Sequence, residues 1–408
     1  MTLGAHNDMV QRWKRRRAYT DAGVRQIQTA TNGDILHEEV ERLISYLTTL
    51  SAPADIRHDV TLAAARSMYR LAYGRRPDTT VQTALRHMVD TLPDYTTTIG
   101  SLSWLDLFPA YRLLRRSVLA KFVAFNRFMA EFCRREKQRS LGQNKLVDHD
   151  SESGTSLAPA LSLFEFFRRK LGRMSTEDRA RYALNEDILY DGLEDIIRAG
   201  SESSSLVAQW FMLYIASFPR VQRRMRAELE DHQAPANGTG VAGARMETGV
   251  SGRLTVDDLR CLPYCSAAFA EACRFCSVNP FLKRQLTDDI DLDGVRLKRG
   301  TVLLFNSWAI NNDRRNFADP EVFRPERFLM PDGSLNESKM SLVVPFGFGK
   351  RRCIGVETGR ALCLLIAVSV VRRFDITLDS DRPPDLEPIF GIGLAPRPHR
   401  LRFSLRPK

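Results

Sequence analysis

One decapeptide restricts this chain more than any other stretch of it. In Phe346-Gly347-Phe348-Gly349-Lys350-Arg351-Arg352-Cys353-Ile354-Gly355 a lone thiol is set among aromatic residues, glycines and arginines, in the order needed to hold a haem iron through a thiolate. A thiolate on a buried apolar face takes up a proton unless its charge is compensated, and iron coordination together with backbone N–H groups exposed at glycines does this. Gly349 and Gly355 are therefore read as positions of close backbone approach. Phe346 is suited to pack flat on a porphyrin, and Arg351 to pair with a propionate in the fork geometry that lysine does not reproduce. A cysteine ahead of a helix is by itself more often a small buried hydrophobe; the flanking residues reverse that reading.

The segment resembles the haem-binding signature of the cytochrome P-450 superfamily, Phe-x-x-Gly-x-Arg-x-Cys-x-Gly, and meets it at Phe346, Gly349, Arg351, Cys353 and Gly355. Four other stretches are similar to segments of that family and follow its order. Trp13-Lys14-Arg15-Arg16-Arg17 is similar to its Trp-x-x-x-Arg helix, and Ala199-Gly200-Ser201-Glu202-Ser203 to the oxygen-activating stretch of its long central helix. Glu271-Ala272-Cys273-Arg274 resembles its Glu-x-x-Arg pair, and Phe323-Arg324-Pro325-Glu326-Arg327-Phe328 the stretch that supplies a second arginine. A three-residue pattern alone carries little, but five ordered matches exclude coincidence.

The resemblance implies a mainly α fold with small antiparallel β-sheets, haem b as cofactor, and Cys353 as the axial ligand of its iron. It implies a monooxygenase that inserts one atom of O2 into a hydrophobic small molecule. Trp13 and Arg17, four residues apart on one helical face, would reach one propionate; Arg284 falls where the family has a strand arginine bonded to the other. Glu202 and Ser203 read as an acid and alcohol pair that relays protons toward the haem, with serine where the family typically has threonine. Because Arg351 stands where soluble bacterial members often have histidine, the chain is similar to the microsomal type. That implies an NADPH-dependent flavoprotein reductase as partner and the cytoplasmic face of the endoplasmic reticulum as location, a soluble cytoplasmic location remaining open. Two other readings stay open: a haem-thiolate isomerase or dehydratase needing no reductase, and a non-catalytic remnant.

Around these motifs the chain reads as one domain, 1–408, long enough to bury a large core. No 18-residue apolar run is present, and Met1 to Asp8 carries no signal-like apolar region. Ala361 to Val371 is too short to span a bilayer and fits a buried core helix. The Trp13 helix begins within the first dozen residues, so about a hundred residues of the family fold are expected to be absent, on usual domain sizes, through either a late start of the sequence or an N-terminally shortened form. The formal charge of +11 invites a nucleic-acid reading, but no nucleic-acid motif accompanies it; the basic residues of Arg12 to Arg17 are read as facing an acidic electron donor.

Seven cysteines without a secretory signal indicate a reducing compartment. Cys261, Cys265, Cys273 and Cys276 raise a zinc site, against which stands the continuous helical reading of Ser266 to Phe275. That helix puts Glu271 and Arg274 one turn apart, and with Arg327 they are expected to form a buried structural triad behind Cys353.

Apolar residues at three-and-four spacing predict helices near Asp34 to Leu50, Asp59 to Tyr73, Val81 to Leu92, Arg112 to Lys137, Ala160 to Leu171 and, longest, Asn185 to Phe218, with Pro219 opening the next. Glycine and serines at 200–205 predict a local opening of the long helix. Residues 138–157 read as a polar linker and 232–253 as a Gly/Ala-rich surface insertion, whose Gly238 to Gly243 matches a dinucleotide-binding pattern without the strand and helix it requires. Strands are expected around Lys283 to Leu286, Val295 to Leu297, Val302 to Phe305 and Arg400 to Ser404. Asn279 to Leu282, Ile196, Ile197 and Ile392 to Leu394 are where the resemblance puts contacts with an apolar substrate.

Overall fold

Three stretches of this sequence are apolar on every side of a helix, and a helix of that kind must lie inside the protein. The computed structural model, which describes residues 3–31, 33–107, 116–147, 161–182, 184–233, 256, 258–380 and 382–407, places all three at the centre. The chain begins with α1 (Leu3–Thr31), α2 (Asp34–Thr48), α3 (Arg57–Tyr73), α4 (Thr79–Leu107) and α5 (Arg116–Val147). Next come α6 (Leu163–Gly172), α7 (Thr176–Arg181), the long α8 (Glu186–Ser217), α9 (Pro219–Gln233) and α10 (Pro263–Cys276). The central helices are α8, buried without interruption over 208–216, α10, and α13 (Val356–Arg373), buried over 361–371.

Among the described residues the strands are short and form four two-stranded antiparallel sheets. β1 (Phe281–Gln285) pairs with β4 (Val302–Asn306), and β2 (Ile290–Leu292) with β3 (Val295–Leu297). After α11 (Ser307–Asn311), α12 (Glu337–Leu342) and α13, β5 (Phe374–Leu378) pairs with β8 (Leu401–Leu405) and β6 (Ile389–Phe390) with β7 (Leu394–Ala395).

Long-range polar contacts lock the layers. The Gln209 amide of α8 donates to the Arg57 carbonyl at 3.2 Å and the Thr61 hydroxyl at 3.0 Å, holding α3 along α8. Gln222 brackets β5 by donating to Ile376 O (2.9 Å) and accepting from Ile376 N–H (3.0 Å). The Glu228 carboxylate on α9 accepts from the N–H groups of Tyr264 and Cys265 at 2.6 and 2.8 Å, so the free donors of the α10 N-terminus are satisfied from another helix. Ala54 and Leu401 exchange two backbone bonds of 2.9 Å, tying the front of the chain to its end.

Expected and observed helices agree closely for α2, α3, α6 and α8, whose N-cap is Asn185, accepting from Ile188 N–H at 2.9 Å. Two differ. The helix expected to stop at Leu92 runs on through Pro93 to Leu107. The helix expected to end at Lys137 continues to Val147, so the first half of the expected linker is helical, with Gln138 and Arg139 exposed on it; 148–157 lies outside the described residues. Of the expected insertion 232–253, His232 and Gln233 end α9 and the rest, with Gly238 to Gly243, lies outside the described residues. Among the described residues no helix is long and apolar enough to cross a membrane.

Candidate functional site

The loop from Val344 to Gly355 is shaped by glycine. Gly347 and Gly349 hold φ of 69° and 65°, a region costly for residues with a Cβ, and a short 3₁₀ turn over Gly349–Arg351 follows. Gly349 was expected to permit close approach. A Cβ there would meet nothing within 4 Å, so its backbone conformation is what requires glycine. The Cys353 N–H donates to Phe346 O at 2.7 Å, closing the loop. The N–H of Gly355, at the start of α13, reaches the Cys353 sulfur at 3.3 Å, which is the charge compensation that a thiolate needs. Cys353 itself is exposed, whereas the sequence had suggested a buried apolar face; the loop presents the sulfur to an open cavity instead of packing it.

That cavity has a volume of about 430 Å³. Cys353, Phe346 and Gly355 form one wall, and Ala199, Gly200 and Ser203 of α8 form another. Gly359, one turn into α13, lies between the walls, and a Cβ there would be in ordinary van der Waals contact, 3.5 Å from both the Phe346 ring and the Ser204 hydroxyl. Ile27, Met68 and Leu71 line the cavity with apolar surface.

Arg284 and Arg351 also line it. The Arg351 guanidinium lies 3.5 Å from the centre of the Trp13 ring, and Arg284 Nη2 donates to the Arg351 carbonyl at 3.5 Å. Arg351 is held below its ordinary basicity by burial, then by the positive charges of Arg284 and Arg17. The expected Trp13 and Arg17 pair is arranged differently: Trp13 stacks with Arg351, while Arg17 Nε bonds Asp21 at 2.9 Å, a carboxylate one turn along α1 that the spacing argument overlooked.

On the opposite wall α8 is continuous, and the expected opening at Gly200 is absent. The serine hydroxyls are absorbed by their own helix, Ser203 donating to Ala199 O and Ser205 to Glu202 O, each at 2.8 Å, so the backbone has no need to open. Gly200 serves packing instead: a Cβ there would lie 2.5 Å from the Met68 sulfur. Ser203 belongs to the cavity wall and Glu202 does not. Glu202 has one carboxyl oxygen, Oε1, buried without a hydrogen-bond partner. Its pKa is raised to about 7, chiefly by burial, against the opposing effects of the nearby Thr96 and of the charge of Arg198.

Glu271, Arg274 and Arg327 come together as expected. Glu271 and Arg274 are fully buried and joined by two bonds of 2.8 and 2.9 Å. Arg327 Nε reaches Glu271 at 3.2 Å. The guanidinium of Arg274 also donates to the carbonyls of Asn311 and Pro320, both at 2.8 Å, and Glu271 accepts the Arg324 N–H at 2.8 Å. The cluster fastens the segment 311–327 to α10, with its donors and acceptors mutually satisfied.

Of the expected substrate contacts, Ile196, Asn279 and Leu282 line the cavity. Ile197 is packed in the core, and Ile392 to Leu394 are not part of the wall. That last segment runs behind it, Leu394 N–H bonding Val278 O at 2.8 Å and Gly393 lying too close to Leu206 and Val278 to admit a side chain. Three thiols on the wall, Cys273, Cys276 and Cys363, went unnoticed as lining residues because no local pattern marks them.

These features suit haem b. A sulfur supported by one backbone N–H, a flat aromatic beside it, apolar walls and an edge carrying Arg284 and Arg351 correspond to an iron, a porphyrin face and two carboxylates. The family model for Cytochrome P450 matches residues 2–403. This chain belongs to the cytochrome P450 family. Among its curated relatives, Cytochrome P450 1A1 of Macaca fascicularis is 26% identical over 395 residues, covering 93% of this chain and 72% of that one. Cytochrome P450 1A1 of Homo sapiens is 27% identical with the same coverage, and Cytochrome P450 1A2 of Oryctolagus cuniculus is 27% identical over 397 residues, covering 93% and 71%. The cytochrome P450 fold accounts for the mainly helical chain with small antiparallel sheets, and the protein is accordingly an oxidoreductase of the haem-thiolate monooxygenase class.

Proposed function

We propose that this chain hydroxylates a hydrophobic small molecule, taking electrons from NADPH through a flavoprotein reductase. The observation that carries the reading is the sulfur of Cys353 on one wall of a largely apolar cavity with Gly200 and Ser203 on another. Haem b, when bound, supplies the reductive activation of O2 and the transfer of one oxygen atom. Cys353 would hold its iron, with the Gly355 N–H donating to the sulfur. Arg17, Arg284 and Arg351 would neutralise the propionates and Trp13 would donate its indole N–H to one of them, while Phe346 and Gly349 would shape the face around the sulfur. The apolar lining, with Ile196 and Leu282, excludes water and orients the substrate by shape. Glu202, poised to about 7, holds a proton that it can release near neutral pH. Ser203, whose hydroxyl can turn away from the Ala199 carbonyl toward the cavity, passes that proton across the wall.

Expression of the full chain and the difference spectrum of its ferrous carbon monoxide adduct test the site. A Soret band at the thiolate position supports it, and Cys353→Ala should abolish that band; an unchanged spectrum in the alanine variant overturns the assignment. NADPH consumption dependent on added reductase supports the oxygenase over an isomerase, which needs no electrons.

A further inference from the structure

Among the described residues, three charged side chains line the catalytic cavity: Arg284, Arg351 and Asp195. The two arginines stand at the edge assigned above to the haem carboxylates, which leaves Asp195 as the one carboxylate on the wall. It belongs to α8, one turn before Ala199 and on the same helical face. Its side chain is 73% exposed, so the carboxylate is open to the space it borders. Asp195 also borders a second pocket of about 290 Å³ between α1 and α8, together with Arg16, Thr20, Asp191 and Gly192. The two spaces follow one seam between the helices. On α1, Arg16 and Thr20 line the second pocket, while Val24 and Ile27, one and two turns further on, line the catalytic cavity. Asp195 is the one residue common to both walls.

We propose that Asp195 is a specificity-determining residue, selecting elongated apolar molecules that carry a protonated amine: the ammonium sits at the seam and the hydrocarbon part in the catalytic cavity. This rests on the reading of that cavity as the place of hydroxylation. A carboxylate only accepts hydrogen bonds, and a charged N–H gives it the strongest one. Arg198 donates to Asp195 Oδ1 at 2.9 Å, but among the described residues no hydrogen bond reaches Oδ2. The Arg198 charge is also shared with Glu194 at 3.8 Å, the Tyr95 hydroxyl of α4 at 3.2 Å and Asn126 Oδ1 of α5 at 3.0 Å, and its side chain is not part of the cavity wall. Across the second pocket Arg16 and Asp191 are opposite in sign. The placement also sets where oxidation falls. A helix rises about 1.5 Å per residue, so Asp195 lies about 6 Å along α8 from Ala199 and about 12 Å from Ser203. Carbons at that remove from the nitrogen, not those bonded to it, are brought before the Cys353 wall.

The test uses the haem-loaded full chain, dimethyl(phenylbutyl)amine and the neutral isostere in which a CH group replaces the nitrogen. Affinities are read at neutral pH from the spin-state change of the ferric Soret band, where no turnover is involved. The parent should bind the amine about 10- to 100-fold more tightly than the isostere, the range of a hydrogen bond to a charged group. Asp195→Asn should abolish that preference while binding the isostere as the parent does, and Asp195→Glu should keep it. Asp191→Asn, which alters the second pocket alone, should also keep it. Equal affinities in the parent, a preference that survives Asp195→Asn, or equal losses in the Asp191 and Asp195 variants overturn the proposal. A red-shifted Soret band, with the amine nitrogen on the iron, overturns it as well. The comparison within the parent needs no variant, so misfolding of one does not shield the proposal. With reductase and NADPH, the amine should be hydroxylated toward its phenyl end, and dominant release of formaldehyde from the methyl groups overturns the placement. The expected preference without any NADPH-dependent oxidation would instead remove the oxygenase reading and leave the role of Asp195 in binding supported.

Discussion

The Arg351 guanidinium and the Trp13 ring are stacked at 3.5 Å, joining α1 to the loop that carries the thiol. A cation over an indole face is worth about 0.5–2 kcal/mol, and here it also aims the guanidinium along the cavity edge. Trp13→Ala should therefore weaken haem retention by about 3- to 30-fold, measured as the rate of haem transfer to apomyoglobin. Arg351→Lys should do the same while leaving the helix content unchanged, because lysine keeps the charge but loses the planar stack.

Gly200 and Met68 form a fitted pair between α8 and α3. Gly200→Ala forces its new methyl onto the Met68 sulfur and should destabilise the fold by about 1–3 kcal/mol through overpacking. Met68→Ala in the Gly200→Ala background should then be less destabilising than in the parent. Denaturation midpoints of the four proteins form the cycle, and strict additivity would show that the two residues do not press on one another.

The contrast between these pairs shows what the sequence discloses. Cys353, Glu271 with Arg274, and the glycines of the loop were legible because chemistry restricts them locally: a sulfur needs its N–H donors, a buried carboxylate needs a guanidinium one turn away, and φ near 65° needs glycine. The long central helices were legible because they are apolar all round. Met68 and Glu228 were not, since each acquires its role from an element far off in sequence, and a methionine or a glutamate on a helix is ordinary there. The serines after Gly200 misled for a related reason. Composition signals a weak helix, but burial against α3 keeps it regular, and the serine hydroxyls find acceptors in carbonyls of the preceding turn.

The buried pair of Glu271 and Arg274 predicts a strongly unequal response within the triad. Glu271→Ala leaves a fully buried guanidinium without its carboxylate and should lower stability by about 3–5 kcal/mol. Arg327→Ala should cost less, since Glu271 retains Arg274 and the Arg324 N–H. Thermal midpoint and haem content per chain read both effects, and equal losses would contradict the geometry.

Glu228 predicts an effect at a distance. It caps α10 from α9, and its removal leaves the N–H groups of Tyr264 and Cys265 without their acceptor. Glu228→Ala should lose about 1–2 kcal/mol, the usual range for a helix cap, and amide exchange should accelerate at the first turn of α10 before it does elsewhere.

Glu202 sets a pH dependence whose sign is fixed by its environment. Burial raises its pKa from the ordinary 4.5 to about 7, so between those values the folded protein retains a proton that the unfolded chain has released. The native state is therefore favoured below the unfolded pKa, and this contribution is lost as pH rises toward 7, amounting to about 3 kcal/mol at roughly 1.4 kcal/mol per unit. Glutamine cannot ionise, so Glu202→Gln should remove that part of the slope. Denaturation midpoints taken from pH 4.5 to 7.5 should show the variant gaining on the parent through the window and running parallel to it above. Parallel curves throughout would place the Glu202 carboxyl in water, contrary to its buried Oε1.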